Sequence, residues 1–415
     1  MRRSDLTAFC LLCAVALNAS DTADGIFAPG FKSLQVRVEG NPLAPPVINM
    51  YTPDRIIVEF DEMAEEPRYL RYRLLHCNSD WRPSQLVETE YLDGFNQADI
   101  DNYALSESTL AHYVHYSLAV PDEDMRPTVS GNYLVQVFDE DNPDEVLLQT
   151  RFMLNENTAS MTSSVTSRTD TDYNNRHQQI SLDAGLDGTD VSDPFNDLRL
   201  VVVQNGRPDT RRVIDKPLRI GNRSAVYEHL ASLIFPAGNE YRRFEMVNVH
   251  YPGLGIDHYD FAEPYYHAII DTDKIRANDR YEYDEDQSGH YFIREFNSNY
   301  PAVDADYIIT HFTLESPEMP GMEVYLDGDF VQRRRDADSR MVYDRNRGAY
   351  VKTMLLKQGL YNYQYLTYPA GESATAAIEG DKYETVNEYL MLLYHRPPMS
   401  RHDRLIGAAV IYSGK

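Results

Sequence analysis

The segment Tyr69-Leu-Arg-Tyr-Arg-Leu-Leu-His-Cys77 carries the pattern that decides the fold class. Leu70, Tyr72 and Leu74 alternate with two arginines, and this period of two places apolar side chains on one face of a strand and cations on the other. Similar segments recur between turn residues, whereas segments of helical period are scarce. The sequence therefore predicts an all-β protein of tandem antiparallel β-sandwich units, immunoglobulin-like or early-set-like.

The other predicted strands show the same alternation or a short apolar run bounded by turn residues. They are Ile56–Phe60, Tyr113–Val120, Tyr133–Phe138, Leu147–Leu154, His177–Leu182, Leu198–Val203, Ala225–Leu233, Tyr241–Val249, Tyr307–Leu314, Glu323–Leu326, Ala349–Leu355, Gly359–Tyr365, Tyr389–Tyr394 and Leu405–Tyr412. Leu198–Val203 is apolar almost throughout, which favours a central strand. A short helix is predicted from Ser106 to His112, where Ser and Thr offer capping groups.

Two polar stretches divide the chain into predicted units. Residues 155–175 are filled with Ser, Thr, Asn and Asp, which indicates a domain boundary or an exposed connection. Residues 271–289 form a second, acidic stretch. At about 100–200 residues per domain, 415 residues suit two or three domains. We expect three β-rich units in series, which are a β-sandwich at residues 20–155, a second β-rich domain at residues 156–285 and a C-terminal β-sandwich at residues 286–415.

The first residues have the layout of a secretory signal peptide. Arg2 and Arg3 form a basic start, Thr7–Leu17 is apolar, and Ala19 precedes a polar run. The apolar part is shorter than the roughly 20 residues of a membrane span. Cleavage after Ala19 is predicted, so residues 1–19 are assigned to the signal peptide. Leu12 precedes Cys13 where a lipoprotein signal requires a small residue, so lipidation is not expected.

Net charge limits the classes of ligand that the protein can bind, and the cysteine count shows how the fold can be stabilised. The chain carries 65 acidic against 39 basic residues, a net charge of −26, which disfavours binding to nucleic acid or anionic lipid. Removal of the signal peptide leaves Cys77 as the single cysteine, so no internal disulfide can form. We interpret Cys77 as a small buried hydrophobic residue. The cores must therefore supply the stability.

No sequence motif predicts catalysis, a metal or a cofactor. A Gly-x-Ser-x-Gly elbow, a His-Glu-x-x-His helix and a phosphate loop are all missing from the sequence. His112 and His115 are three residues apart near a strand and point to opposite faces. The acidic runs Asp139–Glu145 and Asp284–Asp286 offer oxygen ligands for calcium, but solvated loops explain them better in an acidic chain. Paired carboxylates of a hydrolase, brought together from distant positions, remain an alternative.

Three further features have two interpretations each. Arg333-Arg334-Arg335 is a basic run that is either a partner contact or a solvated turn balanced by Asp336 and Asp338. The 31 tyrosines suit either an exposed platform or sandwich cores. Trp81, the one tryptophan, is either an interface residue or a core anchor, and the core is the better choice behind His76 and Cys77.

An ordered set of short motifs resembles the plug protein family of the type IX secretion system of the Bacteroidota. The motifs are Leu75–Ser84, Glu90–Phe95, Ser106–Thr109, Tyr113–Leu118, Ser130–Leu134, Val203–Arg207, Phe235–Glu240, Gly328–Phe330, Glu379–Asp381, Glu384–Tyr389 and Asp403–Gly407. Each is modest alone, but the set spans almost the whole mature chain in order.

The resemblance implies a non-enzymatic periplasmic protein that binds the outer-membrane translocon barrel and seals its periplasmic opening when no substrate passes. It implies no cofactor, metal or catalytic residue, and no insertion into the membrane. Motif positions whose role stays unassigned are His76, Cys77, Trp81, Tyr91, Gly94, Gly131, Asn132, Tyr133, Gln204, Asn205, Glu240, Glu379, Gly380, Asn387 and Tyr389.

The last predicted unit also resembles the starch-binding sandwich modules of glycogen enzymes. The similar segments are Val324–Phe330 and Gly359–Tyr365. Those modules present tryptophans to sugar rings, and this unit has none, so the resemblance implies the fold without sugar binding. An exported carbohydrate-binding or adhesive β-sandwich protein is the alternative function.

Overall fold

The computed structural model describes residues 22–371 and 373–414. The described chain is built almost entirely of strands, as the alternating sequence predicts, and its sheets form three β-sandwiches. The predicted signal peptide, residues 1–19, lies outside the described residues. None of the helices within the described ranges has the length and apolar character needed to cross a membrane.

The first sandwich contains twelve strands and a single-turn helix, α1, at Glu88–Tyr91. Strands β1 to β12 are Gly25–Ile26, Phe31–Val38, Val47–Asn49, Ile56–Glu62, Leu70–Cys77, Leu92–Gly94, Ala98–Asp99, Tyr103–Leu105, Val114–Val120, Met125–Pro127, Gly131–Asp139 and Asn142–Asn155.

Two sheets of this sandwich enclose its core. One has the order β1-β12-β11-β5-β7, with β3 added in parallel to β12, and the other has the order β2-β4-β9-β8. Alternate residues of β5, from Leu70 to Leu74, are buried while Arg71 and Arg73 are partly exposed, as predicted. The buried faces meet in one cluster that includes Val58, Tyr72, Tyr116 and Val135.

The remaining strands follow in chain order. Strands β13 to β19 are Ser160–Thr166, His177–Gly185, Leu198–Gln204, Arg212–Ile214, Arg219–Gly221, Ser224–Tyr227 and Ile234–Pro236. Strands β20 to β31 are Arg242–Glu245, Ile256–Ala262, Tyr265–Ile270, Asp273–Lys274, Tyr291–Ile293, Tyr307–Glu315, Glu323–Asp327, Val342–Asp344, Ala349–Lys357, Gly359–Tyr368, Glu388–His395 and Arg404–Tyr412. Helix α2 is Pro301–Asp304, and 3₁₀ turns occur at Pro208–Thr210, Ala231–Leu233 and Asp329–Val331.

The second sandwich is discontinuous in sequence. Its first sheet is β13-β14-β18-β17, with β19 also paired to β14, and its second is β16-β15-β30-β31. Strand β30 pairs with β15, 185 to 197 residues upstream, and β31 pairs with β30. Tyr389, Met391 and Ile406 of these two strands fill the same core as Ile180 and Leu200. The central position predicted for Leu198–Val203 is confirmed, since β15 lies between β16 and β30.

The third sandwich is inserted between β19 and β30. Its sheets are β20-β29-β24, with β26 also paired to β29, and β21-β22-β25-β28-β27, with β23 beside β25. Phe244, Phe312 and Tyr361 lie in its core. The expected boundaries at 156–285 and 286–415 therefore differ from the sheets, because β20–β23 belong to the third sandwich and β30–β31 belong to the second.

One local prediction is wrong, and two ambiguities are resolved. Residues 106–112 contain no helix. The polar stretch at 155–175 includes the change from the first sandwich to the second, between β12 and β13, but it also contains the strand β13 itself. The Ser and Thr residues of β13 alternate in exposure with Met161 and Val165, so an edge strand there looks like a polar loop in composition. The largest fully buried side chains of the described chain are all tyrosines, so the tyrosine content serves the cores.

Candidate functional site

The first motif segment joins sandwich one to sandwich two. The backbone N–H and the hydroxyl of Ser79 donate to Oδ2 of Asp403, at 2.9 and 2.6 Å. On the adjoining strand, Tyr394 donates its hydroxyl to Oδ1 of Asn132 at 2.6 Å, while Nδ2 of Asn132 donates to the carbonyl of Asn78 at 2.9 Å. Ser79, Asp403, Tyr394 and Asn132 are all buried. Their hydrogen bonds therefore fix the two sandwiches in one relative position.

His76 and its neighbours pack behind this segment. Nε2 of His76 lies 3.1 Å from the carbonyl of Ser130, which only accepts, so Nε2 carries the proton and Nδ1 accepts from the Ser84 hydroxyl at 2.8 Å. Burial lowers the pKa of His76 to about 4, which keeps the ring neutral. Its ring contacts those of Tyr91 and Tyr133. These motif residues form a structural cluster.

Cys77, Gly94 and Gly131 also have structural roles. Cys77 is fully buried, and burial raises its thiol pKa to about 12, so the group stays protonated and is a poor nucleophile. Gly131 has a φ of +137°, and a Cβ there would lie 2.6 Å from Nε2 of His76. Gly94 has a φ of +109°, and a Cβ would lie 1.8 Å from the carbonyl of Asp124. Only glycine fits either position.

A buried amide network holds sandwich two around its link to sandwich three. Nδ2 of Asn205 donates to Oδ1 of Asn387 at 2.7 Å, and Nδ2 of Asn387 donates to Oε1 of Gln178 at 3.0 Å. The Tyr389 hydroxyl donates to the same Gln178 oxygen and accepts from Nε2 of Gln204. Because each buried polar group has a partner here, the network favours one arrangement of the strands that enter and leave the third sandwich.

Glu379 anchors the return segment from sandwich three. Arg242 and Arg276 both donate to its fully buried carboxylate, and the Tyr365 N–H adds a bond at 2.9 Å. Burial alone raises the pKa of Glu379, but the two arginines outweigh it and lower the value to about 2. Gly380, with a φ of +81°, approaches the backbone of Ala277.

Glu240 lies at the same end of the third sandwich. Its Oε1 accepts from the Tyr281 hydroxyl and the Val386 N–H, whereas its buried Oε2 has no hydrogen-bond partner. Burial, strengthened by the nearby Asp286 carboxyl, raises the pKa of Glu240 to about 7. Asp286 itself accepts from the Tyr241 N–H. Glu240 is therefore another motif residue inside the junction between sandwiches.

The first and third sandwiches are joined by an ion pair that sequence reasoning missed. Nζ of Lys357 lies 2.6 Å from Oδ2 of Asp61, and both side chains are 1% exposed. Tyr307 donates to the same oxygen at 2.7 Å, and Nδ1 of His115 lies 2.7 Å from Oδ1. Burial raises the pKa of Asp61, but Lys357 and His115 outweigh it and hold it below its ordinary value. The sequence signal that could have indicated this ion pair was Lys357 itself, a charged residue directly after the apolar pair at the end of β28.

The basic run does not form a solvated turn. The Arg333 side chain is 5% exposed and donates to Asp329, Asp327 and the Tyr241 hydroxyl. Arg334 donates to Asp336 and to the Asp24 carbonyl. Arg335 is exposed, and its guanidinium lies 4.1 Å from the centre of the Tyr368 ring. As partner-contact candidates, Arg333 is therefore corrected to a buried structural cation, while Arg335 keeps an accessible surface.

Trp81 corresponds to neither of its two sequence interpretations. It is half-buried, has a φ of +67° and packs against the apolar cluster between sandwiches one and two. The Arg151 guanidinium lies 4.4 Å from its ring centre, a cation–π contact. Trp81 also lines a cavity of about 250 Å³ at the meeting point of the three sandwiches. The side chain thus belongs to a junction, which a single segment of sequence does not reveal.

Several residues of the acidic runs considered as calcium ligands pair with arginines. Asp139 pairs with Arg68 and Glu140 with Arg71, and Asp284 pairs with Arg243. His112, which precedes β9, lies beside Glu65, whereas His115, on β9, lies beside Asp61. In the part of the chain that the structure describes, no three His, Cys, Asp or Glu side chains are grouped as a metal site.

The fold and its buried junctions define a protein of three interlocked β-sandwiches whose motif residues hold the sandwiches together. Residues 31–156 match the family model described as the type 9 secretion system plug protein 1st domain. Over these residues the chain contains the first domain of the type 9 secretion system plug protein family.

A solved structure resembles almost the whole chain. It is the crystal structure of a hypothetical protein from Parabacteroides merdae, which is 38% identical, has a TM-score of 0.92, and aligns over 94% of this chain and 99% of that one. The Pseudomonas fluorescens alkylpurine DNA glycosylase AlkC, bound to DNA with an abasic site analog, is 17% identical over 30% of this chain and 29% of its own, with a TM-score of 0.18. That score supports no argument. No functionally curated protein matches the chain.

Proposed function

We propose that the protein is a non-enzymatic periplasmic plug, which binds the outer-membrane translocon barrel of type IX secretion and seals its periplasmic opening when no substrate passes. Family membership gives a role related to type IX secretion, and the match over residues 31–156 is the observation that carries the proposal. The predicted signal peptide supports export to the periplasm.

The architecture suits this role. A plug must keep its shape while it covers an opening, and tandem sandwiches joined by flexible linkers would bend. Here the ion pair Asp61–Lys357 joins sandwiches one and three, and the contact of Ser79 with Asp403 joins sandwiches one and two. Glu379 fixes the return segment from the third sandwich to the second. These buried contacts favour a single rigid body.

The test is site-specific crosslinking in cells that secrete through the type IX route. Cys77 is the single cysteine after the signal peptide and is fully buried, so an introduced surface cysteine is the only reactive thiol. We would introduce cysteines singly at highly exposed positions on different sandwiches, Tyr51→Cys, Tyr251→Cys and Met399→Cys, crosslink, purify the tagged protein and identify its partners by mass.

We expect at least one cysteine variant to capture a very large outer-membrane barrel, with less capture when secretion substrate is abundant. The parent protein with Cys77 alone is the matched control and should capture nothing. If no variant captures a barrel, and the protein is instead released to the medium or retained on glycan resin, the plug proposal is wrong.

A further inference from the structure

The three sandwiches enclose a cavity of about 250 Å³ at their common junction. Its apolar wall comes from the outer faces of β15 and β30, with Val201, Leu392 and Tyr394, and from Trp81 and Met153 of the first sandwich. The volume exceeds the roughly 150 Å³ of a cavity that accepts benzene. The space is therefore large enough for an aromatic or branched aliphatic group.

The cavity has an opening to solvent. Pro42 on one side and Gly206 and Pro208 on the other line the cavity and are exposed at the surface. These residues belong to loops of the first and second sandwiches, so a ligand can enter between them without separating any strands.

Two arginines at this cavity have only neutral hydrogen-bond partners among the described residues, and the Asp24 carboxyl interacts with the Arg151 guanidinium electrostatically without a hydrogen bond. Nη2 of Arg211 donates to the carbonyl of Ser79 at 2.8 Å, and its buried Nε has no hydrogen-bond partner. Nε of Arg151 donates to the carbonyl of Thr22 at 2.7 Å while its guanidinium stacks on Trp81. Burial lowers the pKa of Arg211. A buried guanidinium donor without an acceptor is unfavourable, particularly in a chain with an excess of acids.

The carboxylates near the cavity have other donors. Asp24 accepts from the Thr150 hydroxyl, Asp329 from His290 and Arg333, and Glu388 from the Tyr412 hydroxyl. Asp80 acts on Arg211 only at longer range and pairs with Arg82 at 3.7 Å. Within the described residues, no carboxylate of the chain therefore lies within ion-pair distance of Arg211, which lines the cavity.

We infer that this cavity is a binding site for a carboxylate on an apolar body, with the carboxylate on Arg211 beside Arg151 and the apolar group against Trp81, Leu392 and Tyr394. A free aryl or branched-chain acid and the C-terminal residue of a peptide share this chemistry. The inference goes beyond the plug proposal and does not depend on it, because the site is assigned from the cavity alone.

Trp81 makes the site directly measurable. It is the one tryptophan of the chain, so its fluorescence reports on the cavity without a label. We would titrate the full mature protein with N-acetyl-phenylalanine and with the peptide acetyl-Gly-Gly-Phe, each as the free acid and as the C-terminal amide. We expect a saturable change in Trp81 emission with the acids and binding about tenfold or more weaker with the amides, as for loss of a charge-assisted hydrogen bond.

Variants separate the ligand contact from folding. Arg211→Gln should weaken acid binding about tenfold or more, whereas Arg219→Gln, at an exposed arginine on β17 of the opposite sheet, should bind like the parent. Circular dichroism checks that each variant is folded. If Arg211→Gln does not fold, Arg211→Lys replaces it, and weakened acid binding by that variant supports the same contact.

Each outcome decides the question. Binding of the free amino-acid derivative alone supports the site with a small acid as ligand, and tighter binding of the peptide acid supports it with a peptide terminus as ligand. No saturable emission change with either acid, equal binding of acid and amide, or unchanged binding by folded Arg211→Gln would overturn the inference.

Discussion

At the scale of single residues, most of the polar side chains at the motif positions are buried and hydrogen-bonded. His76 is the clearest case, because its two ring nitrogens bond Ser84 and Ser130 and its ring packs on two tyrosines. Such a ring is stable only while neutral, since a charged imidazolium would be buried with no anion in contact.

This burial predicts a pH dependence of stability. The pKa of His76 is about 4 in the folded protein and near 6.5 when unfolded, so the unfolded chain binds the extra proton between these values. The contribution of neutral His76 is therefore complete above about pH 6.5 and is lost as the pH falls toward 4. We expect the free energy of unfolding, measured by urea titration, to fall less steeply over this range in His76→Gln than in the parent.

Exposed His258 offers the matched control. Its side chain is half exposed and lies beside Asp257 and Asp260, so His258→Gln should leave the slope between pH 6.5 and 4 close to that of the parent. Identical slopes for the parent and His76→Gln would show that His76 does not contribute to the acid sensitivity.

At the scale of elements, the sheet β16-β15-β30-β31 differs from an ordinary sandwich sheet because both of its faces are covered. Leu405 and Ile406 are adjacent on β31 and fully buried, yet Leu405 belongs to the cluster between sandwiches and Ile406 to the core of the second sandwich. Consecutive strand residues point to opposite faces, so two different cores meet this one strand.

This arrangement predicts that two neighbouring substitutions are equally damaging. Leu405→Ala and Ile406→Ala should each lower the free energy of unfolding by about 2–5 kcal/mol, the usual cost of removing a buried aliphatic side chain. Val410→Ala, at a 40% exposed position of the same strand, should cost much less. Chemical denaturation measures all three, and a near-neutral Leu405→Ala would mean that sandwiches one and two are not packed together in solution.

At the scale of the whole molecule, the third sandwich is inserted in the sequence of the second, between β19 and β30. Residues 160–236 supply one sheet and half of the other, and β30 and β31 complete the second sheet. The second sandwich can therefore form only after the chain has passed through the third. Such pairing across a long sequence separation makes folding slow compared with local pairing.

A truncation tests this dependence. A chain that ends at residue 386 lacks Tyr389, Met391, Leu393 and Ile406 of the second core, so β14 and β15 should lose their protection in hydrogen exchange read by mass spectrometry. The core strands of the first sandwich, such as β5 and β11, should stay protected. Removing residues 414 and 415 alone is the control and should change neither region. Native protection of β15 in the truncated chain would contradict this account.

The part of this structure that the sequence predicted is the part set by local physics. The period of two in Tyr69–Cys77 predicts the strand and its buried face because neighbouring residues alternate across a sheet wherever the sheet is placed. The apolar run Leu198–Val203 likewise predicts a central strand. The composition of Arg333–Arg335 did not predict the burial of Arg333, because a basic run is usually solvated. Arg333 is buried because the fold brings Asp327 and Asp329 to it.

By itself, the sequence determined the all-β class, most strand positions, the predicted export signal and the family. Tertiary structure alone decided that β30 pairs with β15, that Asp61 meets Lys357, and that Trp81, Arg151 and Arg211 surround one cavity. The physical reason is distance along the chain. Strand pattern is encoded in adjacent residues, whereas buried partners and cavities arise from segments that meet only after three sandwiches have packed together.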